Sequence, residues 1–196
     1  MLDLNKLHLM DCMEGIKEIP KIDLVITDPP YPNAAGHFND QIFSATSFMA
    51  EFNCDHWFIF WDEMSLPPMN IPLVAKHIWH RSNTNRPDNY EVIYEYHIDG
   101  KKRASRVLSY SVIYLGLTGC KEATGHPTQK NLKLIKKLIH LSNEDGIILD
   151  PFMGSGTTAI AAIDEGRDWI GFEIDEDYHR AATKRIEIHQ MQTKLF

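Results

Sequence analysis

The stretch Ile147-Ile148-Leu149-Asp150-Pro151-Phe152-Met153-Gly154-Ser155-Gly156-Thr157-Thr158-Ala159 decides the fold. Its apolar start, with no alternation, is what a strand buried on both faces requires. The run ends on an acid, enters a turn with two glycines, and continues into a helix predicted over about 155–165. Ligands of open α/β sheets bind beyond the carboxyl ends of parallel strands, so this turn marks a cofactor site. Gly154 and Gly156 permit a close backbone approach and torsions that a Cβ forbids. The next strand ends at Gly171-Phe172-Glu173, which sets a carboxylate where it can accept from both hydroxyls of a ribose. The spacing is neither GxGxxG nor the GK[ST] of a phosphate loop, which points to a nucleotide-type ligand without phosphates. A purely structural strand–turn–helix would not need an acid at the end of each strand.

A second apolar run, Asp23-Leu24-Val25-Ile26-Thr27, stops at Asp28-Pro29-Pro30-Tyr31. Proline neither donates to a strand ladder nor lets its predecessor enter a helix, so the stop is hard. A carboxylate, a rigid diproline and an aromatic ring at a strand end suit a flat, polar substrate. The exocyclic amine of a nucleobase is a poor nucleophile because its lone pair is delocalised into the ring. Two acceptors on its N–H bonds, the Asp28 carboxylate and the Pro29 carbonyl, favour a pyramidal nitrogen with a localised lone pair. Tyr31 supplies a stacking face. DPPY alone can also be a bare turn; the glycine motif beside it is what gives it a purpose.

Around these motifs, residues 7–10 are a short apolar run, and strands are predicted at 57–61, 76–80, 91–97, 146–149 and 169–173. Helices are predicted over 12–19, 43–52, 127–141 and 176–189, the third opened by Pro127, with residues 32–41 as a loop. Strands alternating with helices give an α/β domain with a largely parallel sheet and helices on both faces.

The 196 residues suffice for one well-buried domain. Cys12, Cys54 and Cys120 are isolated and odd in number, so neither a disulfide framework nor a CxxC zinc site is expected, and no metal is implied. No apolar run approaches a membrane span and the first residues show no signal-peptide pattern; a cytoplasmic setting inside a prokaryotic or phage-infected cell is expected. The net charge of −7 conceals a division. Residues 101–137 hold nine of the 20 Lys and Arg with only Glu122 opposing them. A basic segment on an acidic body can face phosphates, although a charge run is commonly just a solvated surface.

Together the motifs resemble the amino-methylating DNA methyltransferases, in the permuted order where the catalytic motif precedes the cofactor motif. The likeness rests on Asp11-Cys12 with 22–31, on Trp79 with Asn89-Tyr90-Glu91-Val92-Ile93-Tyr94, and on His126-Pro127-Thr128-Gln129-Lys130. It continues through 150–158, 171–175, and Tyr178, Ala182 and Arg185-Ile186.

The resemblance implies one Rossmann-like methyltransferase domain over 1–196, with a short target-recognition insertion at about 100–126. It implies S-adenosylmethionine as cofactor and DNA as substrate. Asp28, Pro29, Pro30 and Tyr31 are then catalytic. Phe152, Gly154 and Gly156 hold the methionine part, Glu173 the ribose, and Asp11 with Cys12 the adenine. Thr128 and Lys130 lie near the cofactor carboxylate, and Asp150, Ser155 and Thr157 complete the site. His126 is either a structural hydrogen-bonder or a ligand. An acid in the first position of the motif favours adenine N6, where serine goes with cytosine N4.

The four basic residues Lys101, Lys102, Arg103 and Arg106, with the loop at 32–41, are the candidate DNA-facing surface; neutralising them is expected to weaken binding and flatten its salt slope. Asn131 stands where the family usually has proline, which is expected to loosen the start of the helix. So small an insertion offers few base contacts, which implies a short or relaxed target sequence, or a homodimer. The rivals are a cytosine-N4 or RNA-base enzyme, a non-catalytic subunit of the same fold, and a methyltransferase for proteins or small molecules; nothing in the sequence bears on an endonuclease partner.

Overall fold

The structure is a computed structural model that describes residues 1–30, 39–82, 89–112 and 129–193. The chain begins with β1 (Lys6–Leu9), α1 (Cys12–Gly15, followed by a 3-10 turn at Ile16–Glu18), β2 (Leu24–Thr27), α2 (Asn39–Glu51) and β3 (His56–Trp61). Then come β4 (Leu73–Arg81), β5 (Tyr90–His97), β6 (Val107–Tyr110) and α3 (Leu132–Ser142). The last third holds β7 (Ile148–Asp150), α4 (Thr157–Asp164), β8 (Trp169–Glu173) and α5 (Glu176–Thr193).

The strands form one sheet in the order β1-β8-β7-β2-β3-β5-β4-β6. Five of its seven pairings are parallel, and β5 is antiparallel to both of its neighbours. The two apolar runs read from the sequence are adjacent, with Val25 opposite Leu149. Their side chains alternate between faces. Leu24, Ile26 and Ile148 meet Leu134, Leu138, Ala159 and Ile160 from α3 and α4, while Val25 and Leu149 join Phe48 and Met49 of α2 on the other side. Helices therefore cover both faces, as a sheet with continuous apolar strands demands. No helix among the described residues is long and apolar enough to cross a membrane.

Several elements differ from the sequence reading. The α3 helix begins at Leu132, because the Asn131 side chain accepts from the Lys133 and Leu134 amides at 2.9 and 3.3 Å. Asn131 thus fixes the helix start, the opposite of the loosening expected of it; such caps contribute about 0.5–2 kcal/mol. The α4 helix begins at Thr157, because Gly156 sits in the left-handed region with φ 78°. The α2 helix starts at Asn39, inside the stretch read as a loop. Strand β6 was not expected: only Leu108 of its four residues is buried, so it carries no periodic signal.

The antiparallel course of β5 decides what reaches the catalytic edge. The carboxyl ends of β1, β8, β7, β2 and β3 lie along one edge of the sheet. Since β5 runs the other way, its first residues arrive there too, with Val92 opposite Trp61. The end of β4 follows, with Trp79 opposite Glu91.

Candidate active site

At the end of β7 the buried Asp150 carboxylate shapes the glycine turn. One oxygen accepts from the Phe152 amide at 3.1 Å and the other from the Thr158 hydroxyl at 2.7 Å. Burial pushes its pKa up to about 7, against these two hydrogen bonds. Asp150 is therefore a positioning residue for the turn. Gly154 and Gly156 both have positive φ. A Cβ on Gly156 would also stand 3.3 Å from Ala182 and Ile186 of α5, so torsion and packing both demand glycine there.

Ser155 and Thr157 turn inward. Their hydroxyls lie 3.0 Å apart, and Arg185 donates to the Ser155 carbonyl at 2.8 Å and to the Thr157 hydroxyl at 2.9 Å. These side chains tie the turn to α5, which leaves backbone amides as what they can offer a ligand. Phe152 is half-buried beside them.

Glu173, at the end of β8, accepts from the Gly154 amide at 2.8 Å and from the Asp175 amide at 2.9 Å, one through each oxygen. A carboxylate has about four acceptor positions, so room remains for a ribose hydroxyl. Burial raises its pKa. Asp11 follows β1, the next strand over; its carboxylate caps α1 through the Met13 amide at 2.7 Å and accepts from the Ser44 hydroxyl at 2.8 Å. Cys12 is buried in the core, and burial pushes its thiol up to about 12, which rules out a thiolate.

At the end of β2, Asp28 is half-buried and Pro29 is buried. Lys130 binds this acid: its Nζ lies 2.6 Å from Asp28 Oδ2 and 2.9 Å from Glu91 Oε2. The ammonium rests 4.9 Å from the centre of Phe60 and 5.9 Å from that of Trp79. Arg81 closes the network with a tight ion pair to Glu91. Burial raises the pKa of Asp28 and the Lys130 charge opposes it, while the neighbouring Glu91 raises it further. At Glu91 burial also works against the charge, but Lys130 and Arg81 outweigh it and hold the pKa below the ordinary value. Lys130 is pushed upward and stays an ammonium, because its two acids outweigh burial.

The structure thus brings Asp11, Asp28, Lys130, Asp150, Gly154, Gly156 and Glu173 to one edge. Tyr31, His126 and Thr128 lie outside the described residues. Lys130 meets the Asp28 carboxylate. Arg81, Glu91, Phe60 and Trp79 were missed as site residues; Glu91 could have been found only by seeing that β5 reverses direction.

Lys101, Lys102, Arg103 and Arg106 do not join the site. Arg106 sits beside β4, where its carbonyl accepts from the Ile78 amide at 2.9 Å, and Lys101, Lys102 and Arg103 lie beyond the end of β5, at the opposite edge of the sheet. There the Arg103 amide bonds the Val74 carbonyl at 2.9 Å and Lys102 Nζ the Leu73 carbonyl at 2.6 Å, both at the beginning of β4. The sequence reading takes these four as DNA-facing; because β5 runs antiparallel to β3, Lys101, Lys102 and Arg103 stand away from the edge that holds Asp28.

Comparison with known proteins agrees with this geometry. Residues 41–184 match the DNA methylase family. The DNA adenine methyltransferase YhdJ of Escherichia coli (strain K12) is 44% identical over 68 residues, 34% of this chain and 23% of its own length. The chain's matched segments span less than half the length of such curated relatives. A crystal structure of an M1.HpyAVI–SAM complex superposes with TM-score 0.72 at 26% identity, covering 92% of this chain and 98% of the other. The cytosine-N4-specific PvuII DNA methyltransferase shares the fold, with TM-score 0.66 at 20% identity over 90% of this chain and 84% of its own. With its glycine turn, the two strand-end acids and a match across nearly three quarters of its length, the chain belongs to the N6/N4 DNA methylase family.

Proposed function

We propose that the chain transfers a methyl group from S-adenosylmethionine to the exocyclic N6 amine of adenine in DNA. One observation carries the reading: adjacent parallel strands β2 and β7 end in Asp28 and in the Asp150 glycine turn, which puts an amine-binding acid beside a nucleoside-binding turn.

The residues fit the cofactor. Glu173 has room left for a ribose hydroxyl, Asp11 stands at the end of the neighbouring strand for the adenine, and the left-handed glycines open a path along the backbone for the methionine part. When bound, S-adenosylmethionine supplies an electrophilic methyl on a sulfonium. The protein's part is to hold the amine in line with that methyl. Asp28 accepts one N–H and the Pro29 carbonyl the other, which localises the nitrogen lone pair. After transfer the nitrogen sheds a proton, and Asp28 is the group placed to take it. Lys130 opposes the upward push of burial and Glu91 on the Asp28 pKa and so favours the ionised acid, the form that accepts from the amine. The target base must leave the duplex stack to reach this edge. The acid in the motif and the kinship with a DNA adenine methyltransferase favour adenine.

The test is incubation of the full chain with labelled S-adenosylmethionine and, separately, duplex DNA, single-stranded DNA and RNA, followed by nucleoside mass spectrometry. N6-methyladenine in DNA is the expected product. N4-methylcytosine would reassign the base. Tight cofactor binding with no methylated nucleoside in any substrate would replace the enzyme with a non-catalytic subunit.

A further inference from the structure

At the edge opposite the catalytic acid, three side chains from separate elements converge. His56 Nδ1 lies 3.4 Å from Glu144 Oε1, His97 Nε2 lies 3.6 Å from the same oxygen, and all three atoms fall within 4.8 Å of one another. His56 is the first residue of β3, His97 the last of β5, and Glu144 lies in the connection from α3 to β7. We infer that these three residues form a binding site for a divalent transition-metal ion of the zinc type, which pins β3, β5 and the α3–β7 connection together.

The hydrogen bonds behind the cluster set its donor atoms. The buried Glu95 accepts from His56 Nε2 at 2.9 Å and from His77 Nε2 at 3.0 Å. Glu95 sits between two imidazole nitrogens, and a carboxylate so placed accepts from both. His56 must then carry its proton on Nε2, which leaves a bare lone pair on Nδ1 aimed at an anionic oxygen. On the other ring, His97 Nδ1 accepts from the Asp99 amide at 3.0 Å and lies 3.0 Å from Asp99 Oδ1, while Nε2 faces Glu144. Two imidazole nitrogens facing one carboxylate oxygen form a three-point set that a single metal ion can share, with the His97 proton moving to Nδ1 and Asp99 Oδ1 when Nε2 takes the metal.

Distance and charge both fit a metal. A tetrahedral ion about 2.0–2.1 Å from each ligand separates its ligands by about 3.4 Å. A carboxylate on the far nitrogen of each histidine is the usual support that orients such ligands and raises their basicity. Glu95 and Asp99 share one Arg103 guanidinium, which lies 3.5 Å from the first and 3.4 Å from the second, so with Glu144 the three acids outnumber that cation by two, the charge of a divalent ion. His56 is fully buried, while the side chains of His97 and Glu144 are 14% and 32% exposed, which opens a path for the ion and leaves a position for water.

The inference stands apart from the methyl-transfer reading and is tested without it. The tag-free full chain is stripped with chelator, then titrated with ZnCl2 by calorimetry and with CoCl2 by visible absorption. One equivalent per chain and a higher Tm with zinc are expected. His97→Gln and Glu144→Gln, both at partly exposed positions, should keep the apo Tm and weaken zinc binding by about 100-fold or more; Asp99→Asn should weaken it by about 10–100-fold. No saturable uptake would mean that the cluster holds protons only and would overturn the site. Uptake equal in the parent and in all three variants would overturn it too, by placing the ion elsewhere.

Discussion

The Lys130 ammonium sits 2.6 Å from the Asp28 carboxylate, and the same ammonium binds Glu91 at 2.9 Å. The acid of the catalytic motif is therefore a member of a buried network with two cations and two anions, Arg81 being the second cation. Removing one partner from such a network leaves an uncompensated charge, which is where its effect becomes measurable.

Lys130→Met keeps the length of the side chain and its place on Phe60 and Trp79 but removes the charge. Burial and Glu91 both push Asp28 upward, and the main force against them disappears. Methyl transfer that needs ionised Asp28 rises with pH through its pKa. The acid limb of the kcat profile should move to higher pH, with reduced turnover at neutral pH and recovery as pH rises. A limb at the parental pH would show that Lys130 does not hold the charge on Asp28.

Asp28→Ala removes one of the two acceptors for the amine. Turnover should fall by about 10²–10³-fold or more. Affinity for S-adenosylmethionine, read by calorimetry, should stay near the parental value, because Asp28 caps neither the glycine turn nor Glu173. A variant with full turnover would sink the proposed chemistry.

The strand-end acids and the two glycines were legible because each motif is contiguous and its physics is local. Asp150, Gly156 and Glu173 stand where a buried strand, a turn and a second strand put them. The Lys130–Glu91–Arg81 network was illegible for the opposite reason. Its members come from β4, β5 and the segment before α3, and they meet only because β5 reverses the sheet. Strand β6 escaped because a half-exposed edge strand of four residues lacks a pattern. His56, His77, Glu95 and His97 lie within three strands, where a polar residue in a strand is indistinguishable from a solvent-facing one until the packing is seen.

Asp150→Asn tests burial at the turn. Folding raises the Asp150 pKa from 3.8 to about 7, so the native state favours the protonated acid. That contribution is present in full below about pH 4 and is lost as pH rises through about 7. Asparagine does not titrate. The stability of the variant relative to the parent, from denaturant melts, should therefore climb between pH 4 and 7 and level off above, by about 1–4 kcal/mol. A difference that stays flat across this window would mean that Asp150 is ionised throughout.

The basic segment gives the sharpest test of orientation. Lys101 and Lys102 are exposed, and they belong to the edge where β3 begins, whereas Asp28 belongs to the edge where it ends. Six residues of strand separate the two edges, about 16–20 Å. A base seated on Asp28 holds its own backbone near the catalytic edge, so phosphates close to the target stay away from these two side chains. Each lost phosphate contact lowers the slope of log affinity against log salt by about 0.9 on duplex DNA. Replacing both with Ala should leave that slope and kcat/KM within error of the parent. A slope reduced by about 2 would show instead that the DNA wraps around the sheet to its far edge, and would restore these lysines to the DNA-binding surface.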